Sequence, residues 1–274
     1  MVLENILRGH LKCPKCGSED QIWGDNYIEC RSCSEKIKIK NTIPRYVDGA
    51  YHSNFGLQWN KFSTVQLDSF NGSDESEKRL KTQSKLRPDD FVGKTILEVG
   101  AGNGRFTEIF LKFGAKVIAV DYSSAIDANW RNHSKYIEEG RLLLLQGDLF
   151  NLPLTESSFD IVFCYGVIQH TGNNQKAIAE LSKFPKKKGR LLMDIYSTSI
   201  KDFNPLIYLI RPFFSLLKVD DERRLEIVEN FVRKVFPIQL KILPRLHKKK
   251  GLLKLLRWVV NRSPNSVYGI NLFL

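Results

Sequence analysis

The stretch Thr95-Ile96-Leu97-Glu98-Val99-Gly100-Ala101-Gly102-Asn103-Gly104-Arg105-Phe106 decides how the chain is read. An apolar, strand-like run leads directly into three alternating glycines, and a helical pattern over Arg105–Phe113 follows at once. Glycines at such a junction let the backbone turn sharply and let a ligand lie against main-chain atoms. Beyond the loop, the spacing predicts strands over Lys116–Val120, Leu142–Gln146, Asp160–Tyr165 and Arg190–Ile195. Helices are predicted over Ser124–Glu139 and Gln175–Phe184. This alternation points to an α/β fold, a Rossmann-like and mostly parallel sheet with helices on both faces.

Two carboxylates stand where such a sheet binds ligands, at the carboxyl ends of its strands. Asp121 closes the second strand, 21 residues past Gly100, where it can accept from both hydroxyls of a ribose. Asp148, in Gly147-Asp148-Leu149, closes the third, beside a slot of adenine size. A nicotinamide dehydrogenase is the competing reading. It fits less well, because Gly-Ala-Gly-Asn-Gly departs from the G-x-G-x-x-G spacing and Glu98 in the strand is foreign to that pattern.

ILEVGAGNGRF (96–106), VIAVD (117–121), the Gly-Asp before Leu149-Phe150 and FDIVFCYGVIQHTGN (159–173) together resemble the class I S-adenosylmethionine-dependent methyltransferases, over roughly residues 91–196. The resemblance implies S-adenosylmethionine as cofactor. Glu98, Gly100, Gly102 and Gly104 would surround its methionine part and Asp121 its ribose, while Asp148 would hold the adenine amino group with Leu149 beside it.

Methyl transfer from a sulfonium needs mainly alignment of the nucleophile, and a general base only for a weakly acidic acceptor such as a hydroxyl. His170, just beyond the fourth strand, stands where the resembling family faces the methyl group. Its imidazole suits proton removal near neutral pH. It is equally read as a helix-start histidine that shapes the pocket. Tyr165 and Gln169 read as pocket walls. Phe55-Gly-Leu-Gln-Trp59 with Lys78-Arg79 resembles the N-terminal lid of such enzymes, in which Gln58, Trp59 or Arg79 would reach the cofactor and Trp59 alternatively packs the lid. A helix is expected over Ser73–Leu86.

At the N-terminus, Cys13-Pro-Lys-Cys16 and Cys30-Arg-Ser-Cys33 are separated by 13 residues. Two C-x-x-C turns bring four thiolates to one tetrahedral ion, and we expect a structural zinc at Cys13, Cys16, Cys30 and Cys33. Short strands at Ile22-Trp23, Tyr27–Glu29 and Ile37–Lys40 complete a zinc-ribbon β module that Pro44 and Gly49 close. Some forty residues with few large apolars need the metal for their folding energy. The module resembles small zinc-ribbon proteins with CPxC, CxxC and a following Ile43-Pro44-x-x-x-Asp48-Gly49. Cys164 reads as a buried hydrophobe.

The expected organisation is therefore a zinc ribbon (1–49), a helical lid and linker (50–90), a cofactor-binding domain (91–200) and a basic, largely helical segment (201–274) broken by its prolines. That last segment carries 15 basic and 6 acidic residues, so it holds +9 of the net charge of +12. Such a tail suits an anionic partner or a merely solvated face. No run approaches a membrane span or a signal peptide, and a cytoplasmic location is expected, with peripheral membrane contact through 201–274 left open. Three functions are weighed. The first is methyl transfer to a hydroxyl or amine of a small-molecule, sugar or lipid-linked acceptor, presented by the apolar 203–217 stretch. The second is rRNA or tRNA base methylation, with Lys186–Lys188 and Lys248–Lys250 on phosphates. The third is non-catalytic S-adenosylmethionine binding. The near-neutral zinc module weighs against RNA, and the acids at 98, 121 and 148 weigh against a silent fold. A closing strand pair is looked for at 266–274 and found only weakly.

Overall fold

The computed structural model describes residues 6–47, 53–195, 216 and 218–246, and the chain divides into compact units 1–196 and 197–274. The first unit opens with a short 3-10 turn, Ile6–His10, and four short antiparallel strands: β1 (Gln21–Trp23), β2 (Tyr27–Cys30), β3 (Lys36–Lys40) and β4 (Ile43–Arg45). Three helices follow, α1 (Ser53–Lys61), α2 (Asp68–Asn71) and α3 (Glu75–Ser84). Then strands β5 (Thr95–Val99), β6 (Lys116–Asp121), β7 (Leu142–Gln146), β8 (Phe159–Cys164) and β9 (Pro185–Met193) alternate with α4 (Arg105–Lys112), α5 (Ile126–Glu138) and α6 (Asn174–Leu181). All nine strands form one sheet in the order β1-β2-β3-β4-β7-β6-β5-β8-β9. The five from β5 onward pair in parallel, as the apolar, β-branched runs require.

One strand was not foreseen. Pro44 does not close the ribbon: it lies within β4, opposite Ile39. The two-residue connection Asn41-Thr42 has φ of 53° and 61°, the doubly left-handed geometry of a tight hairpin turn. Trp130 steadies it from α5, its Nε1 donating to Thr42 Oγ1 at 3.2 Å. The turn aims β4 alongside β7, where Arg45 pairs with Gln146 and Tyr46 N donates to Gln146 O at 2.8 Å. Pro44 is tolerated because the β4–β7 pairing falls on the residues after it.

The ribbon therefore has no core of its own. Leu7, Leu11 and Ile28 are buried in the same cluster as Leu97, Ile118, Leu143 and Leu145, and Ile43 joins Leu142 and Leu144 on the other face. Leu11 also bridges to Leu154, and the His10 ring stacks on Phe159 at 5.0 Å. Where the ribbon meets α5, Arg45 places Nη2 2.5 Å from Asp127 Oδ1 and donates from Nη1 to Gln146 Oε1 at 2.9 Å.

Several boundaries shift for local reasons. The helix expected from Ser73 begins at Glu75, because the buried Asp68 carboxylate accepts from Ser76 N and Glu77 N, both at 3.0 Å, and satisfies the helix start from upstream. The helix expected to reach Phe184 stops at Leu181, and Lys186–Lys188 lies in β9. Among the described residues β9 is the outer edge of the sheet; Lys187 and Lys188 are exposed there and Lys186 pairs with Asp160 at 3.2 Å. Lysines on an edge discourage a second strand from adding to it, which accounts for this run without a phosphate.

In the second unit α7 (Asp221–Leu246) runs through Pro237 and Pro244, so those two prolines do not end it. Asp221 and Glu222 in its first turn complement the helix dipole. The stretch 203–217, Lys248–Lys250 and the weak strands at 266–274 lie outside the described residues apart from Leu216. No described helix is long and apolar enough to cross a membrane.

Arg45 and Asp127 are largely shielded from water, at 12% and 19% side-chain exposure. Removing one partner of such a pair strands the other, at a cost of about 2–3 kcal/mol. Arg45→Ala is expected to lower the unfolding free energy of the whole first unit by that amount in urea titrations. A change below about 0.5 kcal/mol would mean the ribbon contributes nothing to the sheet it joins.

Candidate active site and metal centre

The carboxyl ends of β5, β6, β7 and β8 converge on the loop Gly100–Gly104. Its three glycines serve different purposes. A Cβ on Gly100 would lie 2.1 Å from Val167 Cγ2, and one on Gly104 would lie 2.5 Å from Asn129 Oδ1. Those two are glycine because protein packs against them. Gly102 alone has room: a Cβ there would sit 3.8 Å from the Trp59 indole of α1. All three have positive φ, which glycine adopts without penalty.

Asp121 ties the loop to β6. Its Oδ2 accepts from Gly102 N at 2.8 Å, while Oδ1 accepts from Ser123 N at 2.8 Å and Ser123 Oγ at 2.7 Å. These three bonds hold the carboxylate rigidly at the end of β6. Asp148 caps the short 3-10 turn Leu149–Asn151 with Oδ1, accepting from Phe150 N at 2.9 Å. Leu149 is buried beside it. The expected ribose and adenine residues therefore lie at the ends of neighbouring strands.

Glu98 is buried within β5 and accepts from Thr107 Oγ1 at 2.6 Å. Burial pushes its carboxyl up to about 8, helped by the nearby Asp121 charge and opposed by the Thr107 bonds.

Above the loop, α1 forms a cover. Asn60 Nδ2 donates to Ser124 O at 2.9 Å, and Asn103 Nδ2 donates to Ser63 O at 2.9 Å. Gln58 is 1% exposed and its Nε2 has no partner. An unpaired buried amide nitrogen is costly unless a ligand atom completes it, so the cover fits a polar group lying on the loop. Arg79, expected to reach the cofactor, turns instead to Asp194, with Nη2 2.5 Å from Oδ2, and lies over the Tyr165 ring at 5.6 Å. Asp194 also accepts from Gly166 N. Like Asp121 and Asp148, it is the polar residue that ends an apolar strand run, Leu191-Leu192-Met193, a signal the sequence reading passed over.

The turn after β8 is the remaining wall. Val167 occupies the space beside Gly100, and the Tyr165 ring packs tilted against Phe163, with centroids 4.1 Å apart. Gln169 buries both amide ends without a partner. His170 is exposed at the end of the 3-10 turn Ile168–His170, its ring 5.4 Å from Phe55 of α1 in an edge-on contact.

At the far end of the sheet, the Sγ atoms of Cys13, Cys16, Cys30 and Cys33 all lie within 4.8 Å of one another. The closest pairs, Cys13–Cys33 and Cys16–Cys30, are 3.5 Å apart. Tetrahedral thiolates about 2.3 Å from one ion stand about 3.8 Å apart, so the cluster fits a metal. Each C-x-x-C segment, Cys13–Cys16 and Cys30–Cys33, sits on a tight turn, with Gly17 N donating to Cys13 O at 2.9 Å and Ser34 N to Cys30 O at 2.8 Å. Cys164 is buried in β8, apart from this cluster.

Residues 97–193 match the family model described as a methyltransferase domain. The mitochondrial ubiquinone biosynthesis O-methyltransferase of Schizosaccharomyces pombe is 30% identical over 112 residues, 40% of this chain and 40% of that protein. The demethylmenaquinone methyltransferase of Thermobifida fusca is 28% identical over 109 residues, 40% of this chain and 46% of that protein. The chain thus spans less than half the length of these relatives. The YcgJ protein of Bacillus subtilis is 25% identical, covers 50% of this chain and 58% of its own, and superposes with a TM-score of 0.40.

Two outcomes follow from this geometry. Because Glu98 binds its proton more tightly folded than unfolded, its contribution to stability is complete below about pH 4.5 and is lost as pH rises through about 8. Glu98→Gln is expected to flatten the fall in stability between pH 6 and pH 8.5, read from guanidinium melts across that range. For the metal, chelation or Cys30→Ser is expected to release one ion per chain and to lower the melting temperature of the first unit in a single transition. Two separate transitions would contradict the shared core.

Proposed function

We propose that this chain, whose residues 97–193 match a methyltransferase-domain family model, is a class I enzyme that transfers the methyl group of S-adenosylmethionine to a hydroxyl or amine of a small-molecule, sugar or lipid-linked acceptor. One observation carries the reading. The Asp121 carboxylate is locked between Gly102 N and Ser123 at the end of β6, next to the one loop glycine whose Cβ position meets no clash, only the Trp59 indole at 3.8 Å. When bound, the cofactor supplies an electrophilic methyl on a sulfonium sulfur. Asp121 would hold the ribose and the outer oxygen of Asp148 the adenine amino group. Gly102 would let the methionine part lie on the backbone, and Gln58 would complete its unpaired Nε2 on that ligand.

The acceptor is assigned to the face formed by the turn after β8, Phe55 and the end of β9. There the acceptor atom would bond to the methyl carbon as the carbon–sulfur bond breaks. For a hydroxyl acceptor His170, beside the exposed Phe55 ring, would take the proton. The names of the relatives, which place one in ubiquinone biosynthesis and describe the other as acting on demethylmenaquinone, support an acceptor with an aromatic or apolar part. Phe55, Met193 and Ile195, all partly exposed apolars, suit it. The four thiolates are assigned to a structural zinc, the ion that prefers an all-sulfur tetrahedron without redox chemistry.

Calorimetric titration with S-adenosylhomocysteine is expected to show one site per chain, weakened more than about tenfold by Asp121→Ala, since a charged hydrogen-bond partner is lost. With labelled S-adenosylmethionine and a phenolic acceptor, His170→Ala is expected to lower kcat by about 10²-fold or more with little change in KM, the usual worth of a general base. An unchanged kcat would reassign His170 to the pocket wall. No nucleoside binding at all would overturn the methyltransferase reading.

A further inference from the structure

Behind the loop lie four polar side chains from three elements: Glu98 on β5, Thr107 on α4, and Asn129 and His133 on α5. None is more than 4% exposed. Buried polar groups are tolerated when each is bonded, and here they are bonded in series. Thr107 Oγ1 donates to Glu98 Oε2 at 2.6 Å, Asn129 Nδ2 donates to Thr107 Oγ1 at 2.9 Å, and Asn129 Oδ1 lies 2.9 Å from His133 Nδ1.

The series has one direction. A threonine hydroxyl owns a single hydrogen, and when Glu98 is ionised, the form a cationic ligand would meet, it goes to the carboxylate. The hydroxyl oxygen must then accept, so the amide nitrogen of Asn129 faces it and the amide carbonyl faces His133. His133 Nδ1 must carry a hydrogen to meet that carbonyl, which defines the imidazole tautomer. Every donor points toward Glu98.

The same side chains shape the loop. Asn129 Oδ1 and His133 Cε1 stand where a Cβ on Gly104 would lie, at 2.5 and 2.6 Å, and Gly104 takes a φ of 91° at the start of α4. The far end of the series thus presses on the loop while its near end holds the carboxylate.

We infer that Thr107, Asn129 and His133 are positioning residues that orient the Glu98 carboxylate, and the loop beside it, toward the cationic methionine end of the cofactor. This rests on the methyltransferase reading above. Burial pushes His133 down to about 4, so it stays neutral and remains a one-hydrogen donor at physiological pH. Glu98 is correspondingly hard to ionise, and donors aimed at it favour the charged form that a cation would meet.

The test compares two ligands. S-adenosylmethionine presents the cationic end, whereas adenosine presents only the groups assigned to Asp121 and Asp148. Thr107→Val keeps the shape and deletes the hydroxyl; Thr107→Ser restores it. By calorimetry, Thr107→Val is expected to weaken S-adenosylmethionine about tenfold, the worth of one charge-assisted bond, while adenosine affinity stays within about twofold of the parent. Thr107→Ser is expected to recover the loss. His133→Asn, which keeps a donor where Nδ1–H stands, is expected to bind S-adenosylmethionine better than His133→Leu. In the unaltered protein, nitrogen NMR of the His133 ring is expected to show the Nδ1–H tautomer, a readout that does not depend on any variant folding.

Equal losses for both ligands would reduce the series to a structural role, and unchanged S-adenosylmethionine binding or an Nε2–H tautomer would overturn the inference. If the unaltered protein binds adenosine but not S-adenosylmethionine, the inference fails while a nucleoside site stands. If it binds neither, the methyltransferase reading fails and takes this inference with it.

Discussion

A run of four leucines, Leu142–Leu145, sets the terms for the first unit. It forms β7, the outermost of the strands β5 to β9 on its side of the sheet, and is buried on both faces. A parallel strand buried in this way cannot stand at an open edge, because its apolar faces need cover and its backbone needs partners. Helix α5 covers one face with Trp130 and Ile137, whereas Leu7, Leu11 and Ile28 from the N-terminal segment reach the other. The remaining edge is taken by β4. The ribbon is best understood as the missing border of the sheet, with its four clustered cysteines placed to tie together a border too small to hold itself.

The loop of glycines looks uniform as a string of letters, but it does three jobs. Gly100 makes way for the turn that bears Tyr165 and His170, and Gly104 makes way for Asn129 and His133. Gly102 alone would meet no clash, with only the Trp59 indole at van der Waals distance, and its N–H holds Asp121. The loop is therefore defined from below by packing and from above by α1, so the site is assembled before a ligand arrives. Preorganisation of this kind reduces the reorganisation a bound nucleoside would demand.

How much of this was legible in the sequence depends on the range of the interaction involved. The strands from β5 to β8, and the places of Glu98, Asp121 and Asp148 in or just after them, could be read because strand period, glycine chemistry and strand-end position are local properties. The four thiolates were legible for the same reason. β4 was not, because Asn41-Thr42 lacks the Asn-Gly that announces a doubly left-handed turn, and because Pro44 ordinarily argues against a strand. Helix α3 is capped by Asp68, seven residues before its first residue, which no short-range pattern reveals. The partners of Thr107 and Arg79 depend on which elements the fold brings together, and those pairs are separated by 22 and 115 positions in the chain. Lys186–Lys188 was legible as charge, but its position on an edge strand was not.

The join between β4 and β7 also constrains the order in which the protein can be made. Arg45 leaves the ribosome about a hundred residues before Gln146, its partner in the sheet. At the usual elongation rate of roughly 5–20 residues per second, the ribbon would wait on the order of 5–20 s for its strand partner. Throughout that interval Leu7, Leu11 and Ile28 lack the leucines that will bury them, and the cysteines can already have gathered an ion. Metal capture during synthesis would then act as a placeholder: it keeps the first forty residues compact and their strand edge in register until the rest of the sheet arrives to claim it.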